Sequence, residues 1–375
     1  MNQSQEPASG LPEMTEANKD LTVKIIGVGG AGVKAIEQMA ETELSTVKFV
    51  AINTDGPALE ACKIREKIYL GGKRTRGLGV GDDPELARAV AEEDAAAIRA
   101  VCCATDLVVI VAGLGGGTGT GITPVLARVA KDAGAQVLAF VTMPFECEGS
   151  RRQRQARAGL LQLKIEADGV LCLPNQKVLK LIDENTSLVE TFRITNDLLM
   201  QVVRCILRLL THPGFINISF ADLCAVVQGR QAESSFAMAE ASGENRARDV
   251  IEKLFAHPLL DGGRALSEAD TVLVSLIGGT DLTMAEVSRV MEQVNRQCEQ
   301  AHVTMGAAMD ESFIQRLSVT IVASQHTGPE TGFASLIASG NGSDETTSYP
   351  SAVSGERDGQ CRNEPLSRPP SRFTA

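Results

Sequence analysis

The sequence predicts an α/β protein with a mostly parallel sheet, a long central helix and a second, smaller α/β domain. Three observations predict this fold. Short apolar runs alternate with helical patterns over residues 21–173, apolar residues at helical spacing continue over 186–211, and strands and helices alternate again over 214–325. The predicted parts are a disordered N-terminal tail (1–20), a first domain with the central helix (21–211), a second domain (212–326) and a disordered C-terminal tail (327–375).

The composition is that of a globular protein and disfavours several classes of function. Hydrophobic residues make up 43% of the 375 residues, enough to bury a sizeable core. Aromatic residues make up only 3%, with no Trp, which disfavours stacking platforms for single-stranded nucleic acid. The formal net charge of -11 disfavours phosphate backbones and anionic membranes. We therefore expect no nucleic-acid partner.

Cysteine and histidine lack the spacing of a metal site. The nine cysteines include no CxxC pair, and the four histidines are far apart, so neither a zinc site nor a disulfide framework is expected. Residues 1–20 are polar and acidic, unlike a signal peptide. No apolar run reaches the length of a membrane span. These features predict a cytoplasmic protein.

The first predicted strand ends in a glycine cluster. Gly27-Val28-Gly29-Gly30-Ala31-Gly32 follows the strand Leu21–Ile26 and precedes a helix predicted from Val33 to Glu41. This arrangement fits the dinucleotide fingerprint, and Asp55, after the second strand Val47–Ile52, lies where a ribose-binding acid is expected. Taken alone, the cluster would suggest an NAD-dependent enzyme.

A second glycine loop gives the stronger signal for a phosphate site. Gly115–Gly121, with the sequence GGGTGTG, follows the strand Leu107–Ala112 and precedes a helical pattern with Pro124 near its start. Glycines let the backbone approach an anion, and the N-terminus of a helix attracts negative charge. No lysine follows either loop in the order of a Walker A motif. The phosphates are therefore expected to bind mainly to backbone amides.

The other elements of the first domain bring further loops to the same sheet edge. In order, they are a strand near Lys67–Leu70, the loop Gly71–Gly81, a helix from Pro84 to about Val101, a strand at Gln136–Thr142, a helix at Arg151–Ala167 and a strand at Gly169–Leu173. Ligands of parallel sheets bind beyond the carboxyl ends of the strands. The loops expected to converge there are Gly27–Gly32, Asn53–Asp55, Gly71–Gly81, Gly115–Gly121 and Pro144–Gly149.

The central helix is predicted from Thr186 to Thr211, about 39 Å long at 1.5 Å per residue, and is expected to end at His212-Pro213-Gly214. The strands predicted after it lie near Ala225–Val227 or Phe236–Ala239, and at Val272–Ile277, Val303–Ala308 and Leu317–Ala323. The helices predicted after it lie near Arg246–Ala256 and Met284–Ala301.

These motifs resemble those of the tubulin/FtsZ superfamily. GGGTGTG at Gly115–Gly121 is similar to the superfamily signature, and the chain resembles bacterial FtsZ from about Val23 to Ser324. Further collinear matches are Ile26–Gly32, Ala51–Asp55, Thr75–Gly79, Pro144–Gly149, Pro174-Asn175, Phe220–Asp222 and Ala241–Ala247. The resemblance implies a Rossmann-like GTPase domain, binding of GTP and GDP, and head-to-tail assembly into filaments for cell division. Mg²⁺ is expected to bind through the GTP phosphates, without a dedicated protein site.

The resemblance also assigns roles to individual residues. The residues that it implies for nucleotide binding are Gly29, Gly30, Ala31, Gly32, Lys34, Asn53, Asp55, Gly79, Val80, Gly81, Gly115, Gly116, Gly117, Thr118, Gly119, Thr120, Gly121, Pro144, Glu148, Arg152, Asn175, Asn196 and Asp197. Among these, Asn175, Asn196 and Asp197 match guanine-reading positions, while Glu148 and Arg152 match the ribose and phosphate side. Without the resemblance, Asn175 is equally well explained as a helix cap after Pro174.

Two departures from the family pattern concern the site. Val33-Lys34 replaces the usual Gly-Asn, so Lys34 either attracts phosphate or is a solvated helix residue. In the loop after the central helix the family pattern Asn-x-Asp-Phe-Ala-Asp supplies two carboxylates to the nucleotide of the next subunit. Here Asn217 and Asp222 remain, but Ser219 replaces the first carboxylate. Since a serine cannot act as a base at neutral pH, slow GTP hydrolysis is expected; alternatively, Asp222 suffices and Ser219 is tolerated.

Further departures concern partners. Arg204 and Arg208 stand where the family tends to have neutral or acidic residues, so they either alter the subunit interface or are solvated. The tail 327–375 lacks the usual C-terminal peptide that binds membrane-anchoring partners. The expected partners are other copies of this chain and a second FtsZ, at the division site. A second hypothesis is that the chain is a structural or regulatory filament subunit that hydrolyses GTP weakly. A third hypothesis is an NAD-dependent oxidoreductase.

Overall fold

The residues that the computed structural model describes are 21–41, 47–211, 214–227 and 232–326. The predicted tails, 1–20 and 327–375, and the predicted helix end at His212-Pro213 lie outside these ranges. The elements up to residue 211 are β1 (Val23–Val28), α1 (Gly29–Ala40), β2 (Val47–Asn53), α2 (Gly56–Ala61), β3 (Glu66–Tyr69), α3 (Gly72–Thr75), α4 (Pro84–Glu93), α5 (Ala95–Cys102), β4 (Leu107–Gly113), α6 (Gly117–Asp132), β5 (Gln136–Met143), α7 (Ser150–Glu166), β6 (Gly169–Pro174), α8 (Asn175–Val178) and α9 (Leu188–Thr211).

The first sheet has six parallel strands in the order β3-β2-β1-β4-β5-β6. Its central strands are near-continuous apolar runs because both faces are covered, and β4 is buried from Leu107 to Ala112. Val28 pairs with Ile52 on one side and with Ala112 on the other, so these three strands end at the same level. The mostly parallel sheet predicted from the sequence is confirmed.

Alternate residues of these strands belong to two separate cores. On β4, Val109 and Val111 join the core formed with α1 and α9, whereas Val108 and Ile110 join the core formed with α4, α5 and α6. This alternation follows from the two-residue period of a strand. The sheet is therefore covered by helices on both faces.

The remaining elements are β7 (Gly214–Ile216), α10 (Phe220–Val227), β8 (Ala232–Ser242), α11 (Arg246–Phe255), α12 (Arg264–Ser267), β9 (Thr271–Gly278), α13 (Met284–Gln297), β10 (His302–Met309) and β11 (Arg316–His326). Short 3₁₀ turns lie at Glu146–Glu148, Leu179–Leu181, Pro258–Gly263 and Glu311–Phe313. The second sheet has the order β7-β10-β9-β11-β8, with β9 and β10 parallel and the other pairs antiparallel. Helices α11 and α13 pack on it through a third apolar core.

The long central helix is confirmed as α9. Its apolar face, with Leu199, Val203 and Ile206, joins the core under the first sheet. Cys205 on the same helix packs with Phe313 and other residues of the second sheet region. Both sheets lie within one compact unit, and the domain boundary at 211/212 stays a prediction.

Some predicted boundaries differ from the structure. Helices α1 and α6 begin at Gly29 and Gly117, inside the glycine clusters, so Pro124 lies within α6 and not near its start. Glycine has low intrinsic helix propensity, but close packing against neighbouring elements outweighs it here. The single helix predicted from Pro84 is divided into α4 and α5 at Asp94.

The first strand after the central helix, β7 (Gly214–Ile216), is not among the predicted strands, and one of the two alternatives for the next strand is wrong. Ala225–Val227 belongs to α10, whereas Phe236–Ala239 lies in β8 as the other alternative predicted. The apolar residues Leu223, Val226 and Val227 are buried at helical spacing. The three residues 225–227 are too few to distinguish this spacing from that of a strand.

Candidate nucleotide site

A cleft of about 320 Å³ opens beyond the carboxyl edge of the first sheet, beside the point where the strand order reverses between β1 and β4. The predicted residues that line it are Gly29, Gly30, Ala31, Gly81, Gly116, Gly117, Thr118, Gly119, Pro144, Glu148, Arg152, Asn175 and Asn196. The lining residues that the sequence did not single out are Val28, Gly113, Leu114, Thr142, Phe192 and Thr195. Val28, Gly113, Leu114 and Thr142 lie at or next to the ends of strands, and Phe192 and Thr195 lie within one helical turn before Asn196. These positions are the sequence signal that could have identified them.

Two helix N-termini face this cleft. Helix α1 begins at Gly29 and α6 at Gly117, and no side chain caps either terminus. The first N–H groups of a helix lack partners within the helix, and together with the helix dipole they attract anions. A Cβ placed on Gly30 or Gly116 would meet nothing within 4 Å, so the space in front of both termini is open. The arrangement suits a ligand with several negative charges.

Other glycines of the two motifs serve packing. A Cβ placed on Gly32, Gly119 or Gly121 would collide with a main-chain carbonyl oxygen of a neighbouring element. The oxygens concerned belong to Val111, Gly113 and Pro84. These glycines therefore let α1 and α6 approach their neighbours closely, which brings both N-termini to the cleft.

The two threonines of GGGTGTG have different surroundings. The Thr118 hydroxyl lies 2.8 Å from the Thr54 hydroxyl, and Thr118 lines the cleft. The Thr120 hydroxyl is buried and accepts a hydrogen bond of 2.8 Å from the Gly115 N–H. Thr120 thus fixes the glycine loop from inside, and only Thr118 faces a ligand.

A charged cluster closes one side of the cleft. Arg152 Nη1 donates to Glu148 Oε2 at 2.8 Å, and Arg152 Nη2 donates to Asp82 Oδ1 at 3.1 Å. The hydrogen bond to Glu148, together with the charge of Asp82, raises the pKa of the Arg152 guanidinium. The Phe145 N–H donates to Glu148 Oε1 at 2.8 Å, which fixes the Glu148 carboxylate. The Arg152 guanidinium is therefore held beside the cleft between two carboxylates, those of Glu148 and Asp82.

Two amide side chains, Asn175 and Asn196, also line the cleft. Asn175 is 5% exposed, and its Oδ1 has no hydrogen-bond partner within the protein. It does not cap α8, because Pro174 is the N-cap and Asn175 is already helical. A buried acceptor without a partner is costly, and an N–H donor of a base, such as guanine N1–H, would satisfy it. Phe192 of α9 lines the cleft as well, and its ring packs edge-on against Phe145 with the centroids 5.6 Å apart.

Ten predicted residues lie outside the cleft lining: Gly32, Lys34, Asn53, Asp55, Gly79, Val80, Gly115, Thr120, Gly121 and Asp197. Asn53 Oδ1 accepts from the N–H groups of Thr54 and Asp55, and the Asp55 carboxylate caps α2. Asp197 accepts from Gln38 Nε2 and Arg193 Nη1.

Three further members of that set have plain environments. Lys34 is exposed on α1, Val80 is buried, and Gly79 lies against Asp55 with a positive φ of 74°. The φ value explains the glycine, since other residues rarely adopt it.

The loop that begins α10 is separate from the cleft, because none of its three candidate residues lines it. Ser219 Oγ donates to Asp222 Oδ2 at 2.6 Å, and the Ser219 N–H donates to the same oxygen at 2.9 Å. In return, the Asp222 N–H donates to Ser219 Oγ at 3.1 Å. This reciprocal cap holds the Asp222 carboxylate and lowers its pKa. Asn217, Ser219 and Asp222 are all exposed.

Neither a metal cluster nor a membrane helix is found in the described part of the chain. No group of three or more His, Cys, Asp or Glu is placed to hold a metal ion there. In the same ranges, no helix combines the length and the apolar character needed to cross a bilayer.

Comparison with known proteins decides the family. The model of the tubulin/FtsZ family GTPase domain matches residues 22–183, and that of the FtsZ family C-terminal domain matches 233–327. Over 315 residues the chain is 38% identical to the cell division protein FtsZ of Buchnera aphidicola subsp. Schizaphis graminum, and the aligned region covers 83% of this chain and 81% of that protein. The chain belongs to the FtsZ family. It carries the family's GTPase domain, so GTP hydrolysis and the binding of GTP and GDP are established at the family level.

Solved structures agree with this FtsZ assignment. The FtsZ dimer of M. jannaschii is 34% identical, with a TM-score of 0.71 over 81% of this chain and 88% of that chain. CetZ from Methanosaeta thermophila, 19% identical with a TM-score of 0.66 over 85% and 90%, shares the fold. The resemblance to FtsZ and the predicted fold class are confirmed, and the NAD-dependent oxidoreductase alternative is overturned.

Proposed function

We propose that this FtsZ-family chain binds GTP in the cleft, assembles head to tail at the bacterial division site and hydrolyses GTP slowly. The observation that carries the proposal is the geometry of Ser219 and Asp222. A single carboxylate stands at the start of α10, outside the cleft, with two hydrogen bonds from Ser219 directed at one of its oxygens.

The cleft can hold the nucleotide in one orientation. The phosphates would bind at the N-termini of α1 and α6, beside Thr118 and Arg152, where uncapped N–H groups and the helix dipoles attract anions. The base would lie against Asn175, whose unpartnered Oδ1 matches the N–H edge of guanine. Mg²⁺ would be held through the phosphates, which it would also neutralise. Asp197 would accept from the base with the lone pairs that its hydrogen bonds from Gln38 and Arg193 leave over.

Hydrolysis would need two copies of the chain. The cleft lining contains one acidic residue, Glu148, and both of its carboxylate oxygens accept hydrogen bonds from Phe145 and Arg152. Asp222 is exposed and outside the cleft. In a head-to-tail pair, Asp222 and Asn217 of one subunit would orient water at the nucleotide of the next. Self-association is in keeping with the FtsZ dimer of M. jannaschii.

The rate of GTP hydrolysis would be low for two reasons. Ser219 removes one negative charge where the family pattern has a carboxylate, and a serine is no general base at neutral pH. The two Ser219 hydrogen bonds also lower the pKa of Asp222, which makes its carboxylate a weaker base. Together these effects leave binding and assembly intact while slowing the chemical step.

The test compares filament pelleting and phosphate release for the wild type and Ser219→Asp. We expect both proteins to pellet with GTP, and the variant to release phosphate about 10 to 100 times faster. Ser288→Asp, which adds the same charge at an exposed serine of α13, is the matched control and should change nothing. Equal rates for Ser219→Asp and the wild type would show that Asp222 alone suffices.

A second candidate function is a structural or regulatory filament subunit that co-assembles with another FtsZ. The same Ser219 geometry favours it, since a slow subunit would lengthen the life of a mixed filament. Co-pelleting with a fast FtsZ, with phosphate release falling as the share of this chain rises, would support this role. If phosphate release depended only on the amount of the fast FtsZ present, the regulatory role would be excluded. The C-terminal tail, where a membrane-anchoring partner would be expected to bind, lies outside the described residues.

A further inference from the structure

The segment between α3 and α4 lies over the phosphate end of the cleft. It contains Gly77, Gly79 and Gly81, all with positive φ, which permits its tight course. The Gly117 N–H donates to the Gly81 carbonyl oxygen at 3.2 Å, which ties the segment to the first residue of α6. A ligand anion at the N-terminus of α6 would therefore lie next to this segment.

Asp82 fixes the same segment to the beginning of α7. Its carboxylate accepts from Arg152 Nη2 at 3.1 Å, as described above. Its main-chain oxygen accepts from Gln155 Nε2 at 3.0 Å and from Arg151 Nη2 at 3.4 Å. We call this set of contacts the Asp82 clamp. Three donors from α7 thus converge on one acidic residue some 70 positions earlier in the chain.

The Asp82 clamp places a negative charge beside the phosphate end of the cleft. Arg152 lines the cleft, and Asp82 takes one of its N–H groups while Glu148 takes another. In the orientation proposed above, with the base against Asn175 and the phosphates at the N-terminus of α6, the terminal phosphate would lie next to Gly81, the residue before Asp82. Because Gly81 and Arg152 line the cleft and Asp82 is bonded to both, a third phosphate would approach the Asp82 carboxylate more closely than a diphosphate would.

We propose that Asp82 is a specificity-determining residue that disfavours GTP relative to GDP, by competing with the terminal phosphate for Arg152 and repelling its charge. This inference rests on the proposed nucleotide-binding role of the cleft. It gives the chain a second means of slowing its GTP cycle, in addition to Ser219. The two means are independent, since Asp82 would act on nucleotide binding and Ser219 on hydrolysis.

The test is equilibrium binding of a non-hydrolysable GTP analogue and of GDP, at protein concentrations below those of assembly. One unit charge at several ångströms in a half-exposed setting changes binding by about three- to tenfold. We expect Asp82→Asn to bind the GTP analogue about three to ten times more tightly and to change GDP binding less than about twofold. Asp82→Glu should keep a ratio of GTP-analogue affinity to GDP affinity near that of the wild type. Glu85→Gln, an equal charge change on the first turn of α4, should change neither affinity.

The gain in affinity of Asp82→Asn for the GTP analogue should become smaller as ionic strength rises, because exposed charges are screened. An equal gain for both nucleotides would overturn the inference, since Asp82 would then be only a general repulsive charge. Weaker binding of the GTP analogue by Asp82→Asn would also overturn it, and loss only with Mg²⁺ present would identify Asp82 as a metal-binding group. If the wild type and all variants bind neither nucleotide, the proposed function itself fails.

Discussion

The cleft and the loop that begins α10 are built in different ways. The cleft is formed largely by backbone, with two helix N-termini and glycines that allow close approach. The α10 loop depends on three exposed side chains, Asn217, Ser219 and Asp222. A backbone site survives side-chain substitution as long as its packing is kept, whereas a side-chain site changes with one residue. Under the proposed function, this difference would let the chain keep its nucleotide cleft while the α10 loop changes by single substitutions.

The largest expected effect would come from breaking the backbone site. Gly119→Ala places a Cβ against the Gly113 carbonyl oxygen, so we expect a loss of about 3 kcal/mol in the free energy of unfolding. Gly30→Ala is the control, since its Cβ meets nothing within 4 Å, and should lose far less. Urea unfolding measures both. Equal losses would mean that close packing does not set the course of α6.

The next effect concerns the side-chain site. Asp222→Asn keeps the size of the residue but removes its charge, so we expect GTP turnover to fall about 100-fold or more. Nucleotide affinity should stay within about twofold, because Asp222 is outside the cleft of its own chain. Phosphate release measures GTP turnover, and equilibrium binding to the isolated subunit measures nucleotide affinity. A loss of affinity equal to the loss of turnover would contradict the assignment of Asp222 to the neighbouring subunit.

A smaller effect would separate the two threonines. Thr120→Val removes the acceptor of the buried Gly115 N–H, and we expect a cost of about 1 to 3 kcal/mol in unfolding free energy. Thr118→Val should cost less stability and weaken nucleotide binding instead, because Thr118 lines the cleft. Thermal unfolding with and without GDP gives both quantities. The interpretation fails if both variants lose stability and affinity alike.

The smallest effect is a change in the pKa of Asp222. The side-chain hydrogen bond from Ser219, followed by its backbone N–H, lowers that pKa in the folded protein. The resulting stabilisation is present above the ordinary pKa of 3.8 and is lost as the pH falls through the lowered value. Ser219→Ala should move the pKa back towards 3.8, measured from the carboxyl ¹³C shift. An unchanged pKa would show that the Ser219 hydroxyl does not hold the carboxylate.

Much of the fold follows from local patterns. The strands of the first sheet are short apolar runs, and those runs identified each strand of 21–173 to within one or two residues at either end. The helix starts were less predictable, because Gly29 and Gly117 are weak helix formers held in helices by packing. The Ala225–Val227 alternative failed for a related reason, since three apolar residues fit either element.

The candidate site was predicted as a set of residues, and the structure divides that set. Asn175 and Thr118 line the cleft, while Asp197 and Asp55 bind other protein groups. Asp82 was not singled out, although its charge stands beside a glycine loop. Its partner Arg152 is 70 residues away in the chain, and no local pattern connects them.

The sequence by itself determined the six strands of the first sheet, the two glycine motifs and the presence of Ser219 three residues before Asp222, because each is local in the chain. Only the tertiary structure decided which glycines face the cleft and which serve packing, because that depends on contacts with Val111, Gly113 and Pro84 from other elements. It also decided that Ser219 holds Asp222 and that Asp82 holds Arg152. Hydrogen bonds of this kind depend on the directions of side chains in space, which residue types and spacing do not specify.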